Sequence, residues 1–139
     1  MTGYISEDIA IDLVSAYAAA NTTDVPSSEV DMDGYDGVCF VVRFGTANDN
    51  NLVTLHDSPT AAGEAATVAH IHTGSSPSNK LVILDVRHPR RYVKAVASRG
   101  TSSTLDPIVA IRYRARVSPV TNAVSGTSAV ATFMAPAPA

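Results

Sequence analysis

Asp31-Met-Asp-Gly-Tyr-Asp-Gly-Val-Cys-Phe-Val-Val-Arg-Phe-Gly45 is the stretch that decides how this chain folds. It opens as a turn rich in Asp and Gly. It then becomes an apolar run from Val38 to Phe44, interrupted only by Arg43, and stops at Gly45. A short run rich in β-branched and aromatic residues and closed by glycines reads as a strand buried on much of both faces. The turn gathers Asp31, Asp33 and Asp36, which raises the question of a metal. A calcium loop of the EF-hand type takes acidic groups at its first, third and fifth positions, Gly at the sixth and Glu at the twelfth. Counted from Asp31, those last three positions hold Tyr35, Asp36 and Val42. Turn chemistry accounts for the stretch better, because Asp bonds its own backbone and Gly accepts positive φ.

Outward from this strand the chain reads as β throughout. Leu13–Ala20 is expected to be one early strand, and Glu29–Asp31 a short charged edge segment. Leu52–His56 alternates, with Leu52, Thr54 and His56 on one face and Val53 and Leu55 on the other. Ala65–His72 is expected to be a strand, followed by a loop over Thr73–Asn79. Lys80–Val86 reads as a second strand buried on both faces, broken by His88-Pro89. Tyr92–Ser98 reads as half-buried, with Val93, Ala95 and Ala97 turned inward. Ile108–Val117 offers two faces. The apolar set Val109, Ile111, Tyr113, Ala115 and Val117 is expected to face the core, which lines up Arg112, Arg114 and Arg116 outside. Short strands with regular turn signals point to an all-β, jelly-roll-like sandwich. The expected organisation is an N-terminal arm (1–12), one β-sandwich domain (13–118) and an extended Ala/Pro-rich tail (119–139), with a possible short strand at Ser128–Phe133.

The totals bound the function. The chain has 139 residues, 45% of them apolar, which suits one domain with its own core. No segment reaches the roughly 18 continuous apolar residues of a membrane span. Glu7 and Asp8 near the start, with no basic residue before them, are not expected to belong to a signal peptide. The single cysteine, Cys39, has no partner for an internal disulfide and is expected to be buried and unreactive. The net charge of −3 hides an asymmetry: every Lys and Arg lies at or after Arg43, whereas eight acidic residues precede it. An acidic arm and a basic body can pair within one chain or between neighbours. With pI ≈ 5.7, direct nucleic-acid binding is not expected.

Three groups of residues stand out as candidate sites. His70-Ile71-His72 would place two imidazoles on one strand face, with His56 or His88 as a third metal ligand. The spacing is similar to the first motif of cupins, but Gly63 lies seven residues before His70 and no carboxylate follows His72 at the family's position. The alternative is a pair of ordinary polar residues on a solvated edge. The connector Arg87-His88-Pro89-Arg90-Arg91-Tyr92 suits a carboxylate or phosphate contact, or a plain solvated corner. Arg112, Arg114 and Arg116 would repel along one strand face unless an acidic partner, such as a neighbour's arm, lies across them. No nucleophile motif and no phosphate-cradling loop is present.

Three segments together resemble a known family: Asp31–Gly45, then Asn79-Lys-Leu-Val-Ile-Leu-Asp-Val-Arg-His-Pro-Arg-Arg-Tyr-Val-Lys-Ala-Val-Ala-Ser-Arg-Gly100, then Asp106-Pro-Ile-Val-Ala-Ile-Arg-Tyr-Arg-Ala-Arg116. In order and phrasing they resemble small virion structural proteins of tailed bacteriophages, some of which are head decoration, or cement, proteins with a jelly-roll-like fold. The resemblance spans residues 29–118, and Leu52–His72 departs from it. It implies a non-enzymatic role in the virion, on the capsid exterior after synthesis in the host cytoplasm. The implied partners are the major capsid protein and further copies of the chain as a homotrimer, with no membrane, nucleic acid or cofactor. The residues expected to make those contacts are Ile5, Ile9 and Ile11 in the arm, Arg87, Arg90 and Arg91 at the connector, and Arg112, Arg114 and Arg116. Rival readings are a tail or adaptor component, and a cupin-like enzyme holding one Zn or Fe on His56, His70 and His72.

Overall fold

Alternation of apolar and polar side chains builds two facing sheets. The computed structural model describes residues 4–45, 51–63, 66–72, 80–100, 102–117 and 119–120, with the backbone alone for 66–72. A 3-10 turn at Ile5–Glu7 leads into β1 (Ala10–Ser15) and β2 (Ala18–Asn21). The short β3 (Val25–Pro26) and β4 (Val30–Asp31) follow, then β5 (Gly37–Arg43) and β6 (Leu52–Ser58). After them come β7 (Ala66–His72), β8 (Leu81–Arg87), β9 (Tyr92–Ser98), β10 (Ser103–Leu105) and β11 (Ile108–Tyr113). A four-stranded sheet has the order β1-β11-β5-β8. A five-stranded sheet has the order β3-β9-β6-β7, with β4 also on β9, and β10 pairs with β2 as a ribbon. The strand pairs are antiparallel throughout. The chain is all-β, as its turn spacing predicts.

The core lies between the two sheets. Val38, Phe40 and Val42 of β5, Val82 and Leu84 of β8, and Ile108 and Ala110 of β11 enter one cluster. Val53 and Leu55 of β6 and Val93, Ala95 and Ala97 of β9 meet them from the other sheet. The alternations read for Leu52–His56 and Tyr92–Ser98 therefore hold. The Asp-rich turn before β5 behaves as turn chemistry demands: the Asp33 N–H donates to Asp31 Oδ1 at 3.0 Å, and Gly34 takes φ 89°.

Several expectations are corrected. Leu13–Ala20 is split between β1 and β2, and the sheet already begins at Ala10, inside the stretch read as an arm. The β11 faces are reversed: Ile108 and Ala110 are fully buried, whereas Val109 and Ile111 turn outward. The cause is that β11 ends at Tyr113. Arg114 takes φ 53°, so Arg114 and Arg116 leave the strand and exert no pull on its facing. Neither β5 nor β8 is buried on both faces; each buries one row only. The expected loops at Thr46–Asn50 and Thr73–Asn79, and the possible strand at Ser128–Phe133, lie outside the described residues.

A buried polar knot ties the β2–β10 ribbon to the sandwich. Asn51 and Ser103 are fully buried and exchange hydrogen bonds, Asn51 Nδ2 to Ser103 Oγ at 2.9 Å and Ser103 Oγ to Asn51 Oδ1 at 3.1 Å. The Gly100 N–H donates to Asn51 Oδ1 at 2.7 Å. Beside them the buried Arg99 donates to the Thr23 carbonyl at 2.8 Å, the Ala19 carbonyl at 2.5 Å, the Ser103 carbonyl at 3.0 Å and Thr23 Oγ1 at 3.0 Å. These acceptors solvate the guanidinium in place of water. Arg99→Ala removes the donor and strands three carbonyls, so it should destabilise the fold by about 3 kcal/mol, read as a lower urea midpoint at unchanged slope.

Candidate functional site

The reversed facing of β11 has a direct consequence for the surface. Registers across the four-stranded sheet place Ile11, Ile111, Cys39 and Asp85 in one outward row and Leu13, Val109, Val41 and Ile83 in the next. Leu81 continues the patch beside Arg43. Leu81 is 61% exposed, Ile83 59% and Ile11 39%, Asp85 is exposed, and the remaining members of the two rows are half-buried. The sheet thus presents a largely aliphatic face, with the charged Arg43, Asp85 and Arg87 at its margins. Arg43 and Asp106 pair at one end. At the other, Tyr113 lies over Gly37, where any Cβ would clash with its ring, and its hydroxyl donates to Asp85 Oδ1 at 2.5 Å. A contiguous apolar patch of this kind marks an interaction site far more often than a scatter of single residues does. Cys39 sits within it, and partial burial, then the nearby Asp85 carboxylate, push its thiol pKa up, which keeps it protonated and a poor nucleophile.

Six of the eight arginines are engaged by their own chain. Arg90 grips the buried Asp57, donating from its backbone N–H at 2.8 Å, from Nε at 2.9 Å and from Nη2 to the Asp57 carbonyl at 2.8 Å. Arg91 forks onto Asp31 with both bonds at 3.0 Å, and its cation lies 5.3 Å from the Tyr92 ring centroid. Arg112 donates to Asp12 Oδ2 at 2.9 Å and to the Asp31 carbonyl at 2.8 Å, and stacks 4.7 Å over Tyr35. Arg116 approaches Asp36 at 3.5 Å. The acidic N-terminal third therefore pairs with Arg91, Arg112 and Arg116 within one chain. Arg112, Arg114 and Arg116 form no ladder that calls for a neighbour's arm. Arg87 and Arg114 are exposed and make no ion pair among the described residues. Of the arm residues, Ile5 is exposed in the 3-10 turn, Ile9 is half-buried, and Ile11 belongs to the apolar face. A cleft of about 270 Å³ lined by Met32, Asp33, Tyr35, His88, Pro89, Arg91 and Arg116 lies at this end. Its two arginines already hold carboxylates, so it carries little excess positive charge.

The histidines do not come together as a described site. Register sets His70 opposite Thr54 and His72 opposite Leu52, but their side chains lie outside the described residues. His56 faces Lys94 across β6 and β9, and an ammonium there opposes a metal cation. Among the described residues no group of three metal-ligating side chains forms. The apolar face itself was missed by sequence reasoning, although its signal was visible. Leu81-Val-Ile-Leu84 is apolar on both faces, which is the composition of a strand covered on both sides.

Two titrations test this geometry. Partial burial, then the Asp85 hydrogen bond and charge, push Tyr113 up to about 12 from 10.0. The raised value makes the phenol's contribution to stability full below pH 10 and lost as pH climbs toward 12. Asp85→Asn should lower the Tyr113 midpoint part of the way from about 12 toward 10 in an ultraviolet absorbance titration, the share due to burial remaining. At the acidic end, the fork from Arg91 holds the Asp31 carboxyl below its usual 3.8. That contribution is present above the unfolded value and lost as pH falls through the folded one. Arg91→Gln should raise the Asp31 midpoint toward 3.8 in a carbon-13 NMR titration of the carboxyl.

Comparison with protein-family models, with curated proteins and with solved structures found no match to this chain.

Proposed function

We propose that this chain is an assembly protein: a bacteriophage decoration, or cement, protein that binds the outer capsid surface and stabilises contacts between major capsid protein subunits. The observation that carries the reading is the aliphatic outer face of the four-stranded sheet, on which no other described sheet packs and whose most exposed members are Leu81 and Ile83. A protein that works by docking needs such a surface on a rigid support, and β5, β8 and β11 supply one. The three segments that resemble the phage proteins contain those same strands: Asp31–Gly45 holds β5, Asn79–Gly100 holds β8 and β9, and Asp106–Arg116 holds β11. In this reading the two sheets are the halves of a jelly-roll-like sandwich. The protein acts without a cofactor on the exterior of the virion, after synthesis in the host cytoplasm.

The chemistry of such a contact follows from the face. Aliphatic rows exclude water from the joint, while the terminal Arg43–Asp106 and Tyr113–Asp85 pairs keep their partners and stay at the rim. The exposed Arg87 and Arg114 are left to meet acidic groups on the capsid and speed encounter.

Purified protein incubated with expanded phage heads stripped of surface proteins should co-sediment with them. Ile11→Lys, on the exposed face of β1, should weaken retention at least about tenfold while leaving the circular dichroism spectrum unchanged, since a lysine there charges a docking face without entering the core. Retention that ignores the substitution would sink the proposal.

A further inference from the structure

The edge of the four-stranded sheet at β8 is built to receive another strand. β8 pairs with β5 along all seven residues without a bulge, and among the described residues it has no second partner strand. Isolated proteins blunt such edges with charge, proline, bulges or shortness. Every other described edge of the two sheets shows one of these devices. β1 is bulged between Leu13 and Ser15 and carries Asp12, tied to Arg112. β7 is mismatched with β6 beyond Leu55. β3 and β4 are two residues long, and β3 contains Pro26. Over Leu81–Leu84, β8 shows none of them. Its outward residues are also the most exposed aliphatic side chains of the sheet.

We propose that β8 pairs antiparallel with β8 of a second copy about a twofold axis, joining the two apolar faces into one continuous platform. A second copy fits because a twofold joint is self-complementary and closes, leaving no free edge to propagate. Faces and charges narrow the register. Outward residues must meet outward residues, and Asp85 opposite its own copy would set like charges against each other. With Val82 on the axis, Leu81 of each copy faces Ile83 of the other, and the two Asp85 side chains lie far apart at opposite ends. This inference rests on the reading of the sheet face as a docking surface, which the pairing doubles; two linked faces on one particle gain avidity without new contacts.

The test is sedimentation equilibrium on the purified chain alone, over a concentration series, with amide exchange of Leu81–Arg87 followed in parallel. A joint confined to one pair of edge strands is small, so the association is expected to be weak and the series extends to the highest concentrations the protein tolerates. The expected result is a mass of two chains at high concentration and β8 amide protection that rises with concentration. Ile83→Lys should restore the monomer mass, and Ile11→Lys, at the far edge, should not. A monomer at every concentration overturns the pairing, and a three-chain mass overturns the twofold and favours a threefold arrangement. A monomer whose β8 amides stay protected at all concentrations also overturns it and assigns the edge to a segment of the same chain. The docking reading is scored separately: a monomer whose capsid retention still responds to Ile11→Lys loses only the pairing, and a dimer that binds no capsid loses only the docking.

Discussion

The side-chain period of β5 is the constraint on which the rest of the molecule depends. Val38, Phe40 and Val42 are fully buried and so fix which way the strand faces. Because alternate residues point to opposite sides, Cys39, Val41 and Arg43 must then point away from the core. The ladders to β11 and β8 extend that choice across the sheet, setting Ile111 beside Cys39 and Ile83 beside Val41. The inner face meets β6 and β9. The outer face meets nothing among the described residues. A one-residue slip of β5 would exchange the two faces and place Arg43 in the core, so the register is strongly held and the outer surface is determined by the inner one.

Electrostatics then closes the mouth of the sandwich. Asp12, Asp31 and Asp36 come from the acidic N-terminal third, and Arg112, Arg91 and Arg116 from the basic remainder. The partners of the Asp12–Arg112 pair lie at opposite ends of the described chain, which fastens β1 to β11 beyond the ladder hydrogen bonds. Arg112 sits at the rim because its long stem lies over Tyr35 while its head meets Asp12 and the Asp31 carbonyl. Such part-exposed pairs contribute modestly to stability. Their larger effect is on specificity, since they use up the cations that would otherwise attract any acidic surface and leave Arg87 and Arg114 exposed.

Much of the fold was legible, and the failures share a cause. Tyr92–Ser98 and Leu52–His56 were read correctly because each has one apolar and one polar row, so period two determines the facing. Ile108–Tyr113 and Leu81–Leu84 have two apolar rows, and there the pattern identifies a strand without saying which row is covered. The charges of Arg114 and Arg116 then misdirected the choice for β11, because no local signal shows that the strand stops at Tyr113. The knot of Asn51, Arg99 and Ser103 left no trace in the sequence: its members are separated in the chain and meet only after the ribbon docks. The outer face is encoded in plain view as aliphatic residues with no polar alternation, but reading it as a site requires knowing that no other described strand packs on it.

Energetics bounds what that open side can do. Leu81 and Ile83 are each more than half exposed, and covering both removes on the order of 200 Å² of apolar surface, about 5 kcal/mol at roughly 25 cal/mol per Å². Association opposes this with a cost of roughly 4–15 kcal/mol in lost translational and rotational freedom. Two side chains therefore support only weak contact, and tighter binding has to recruit the half-buried rows around them. Those rows extend over all four strands, so a partner must span the sheet to reach them. An enzyme cleft concentrates its binding in a concavity. Here the exposed apolar groups are spread across a sheet, so a contact made there depends on breadth and not on enclosure.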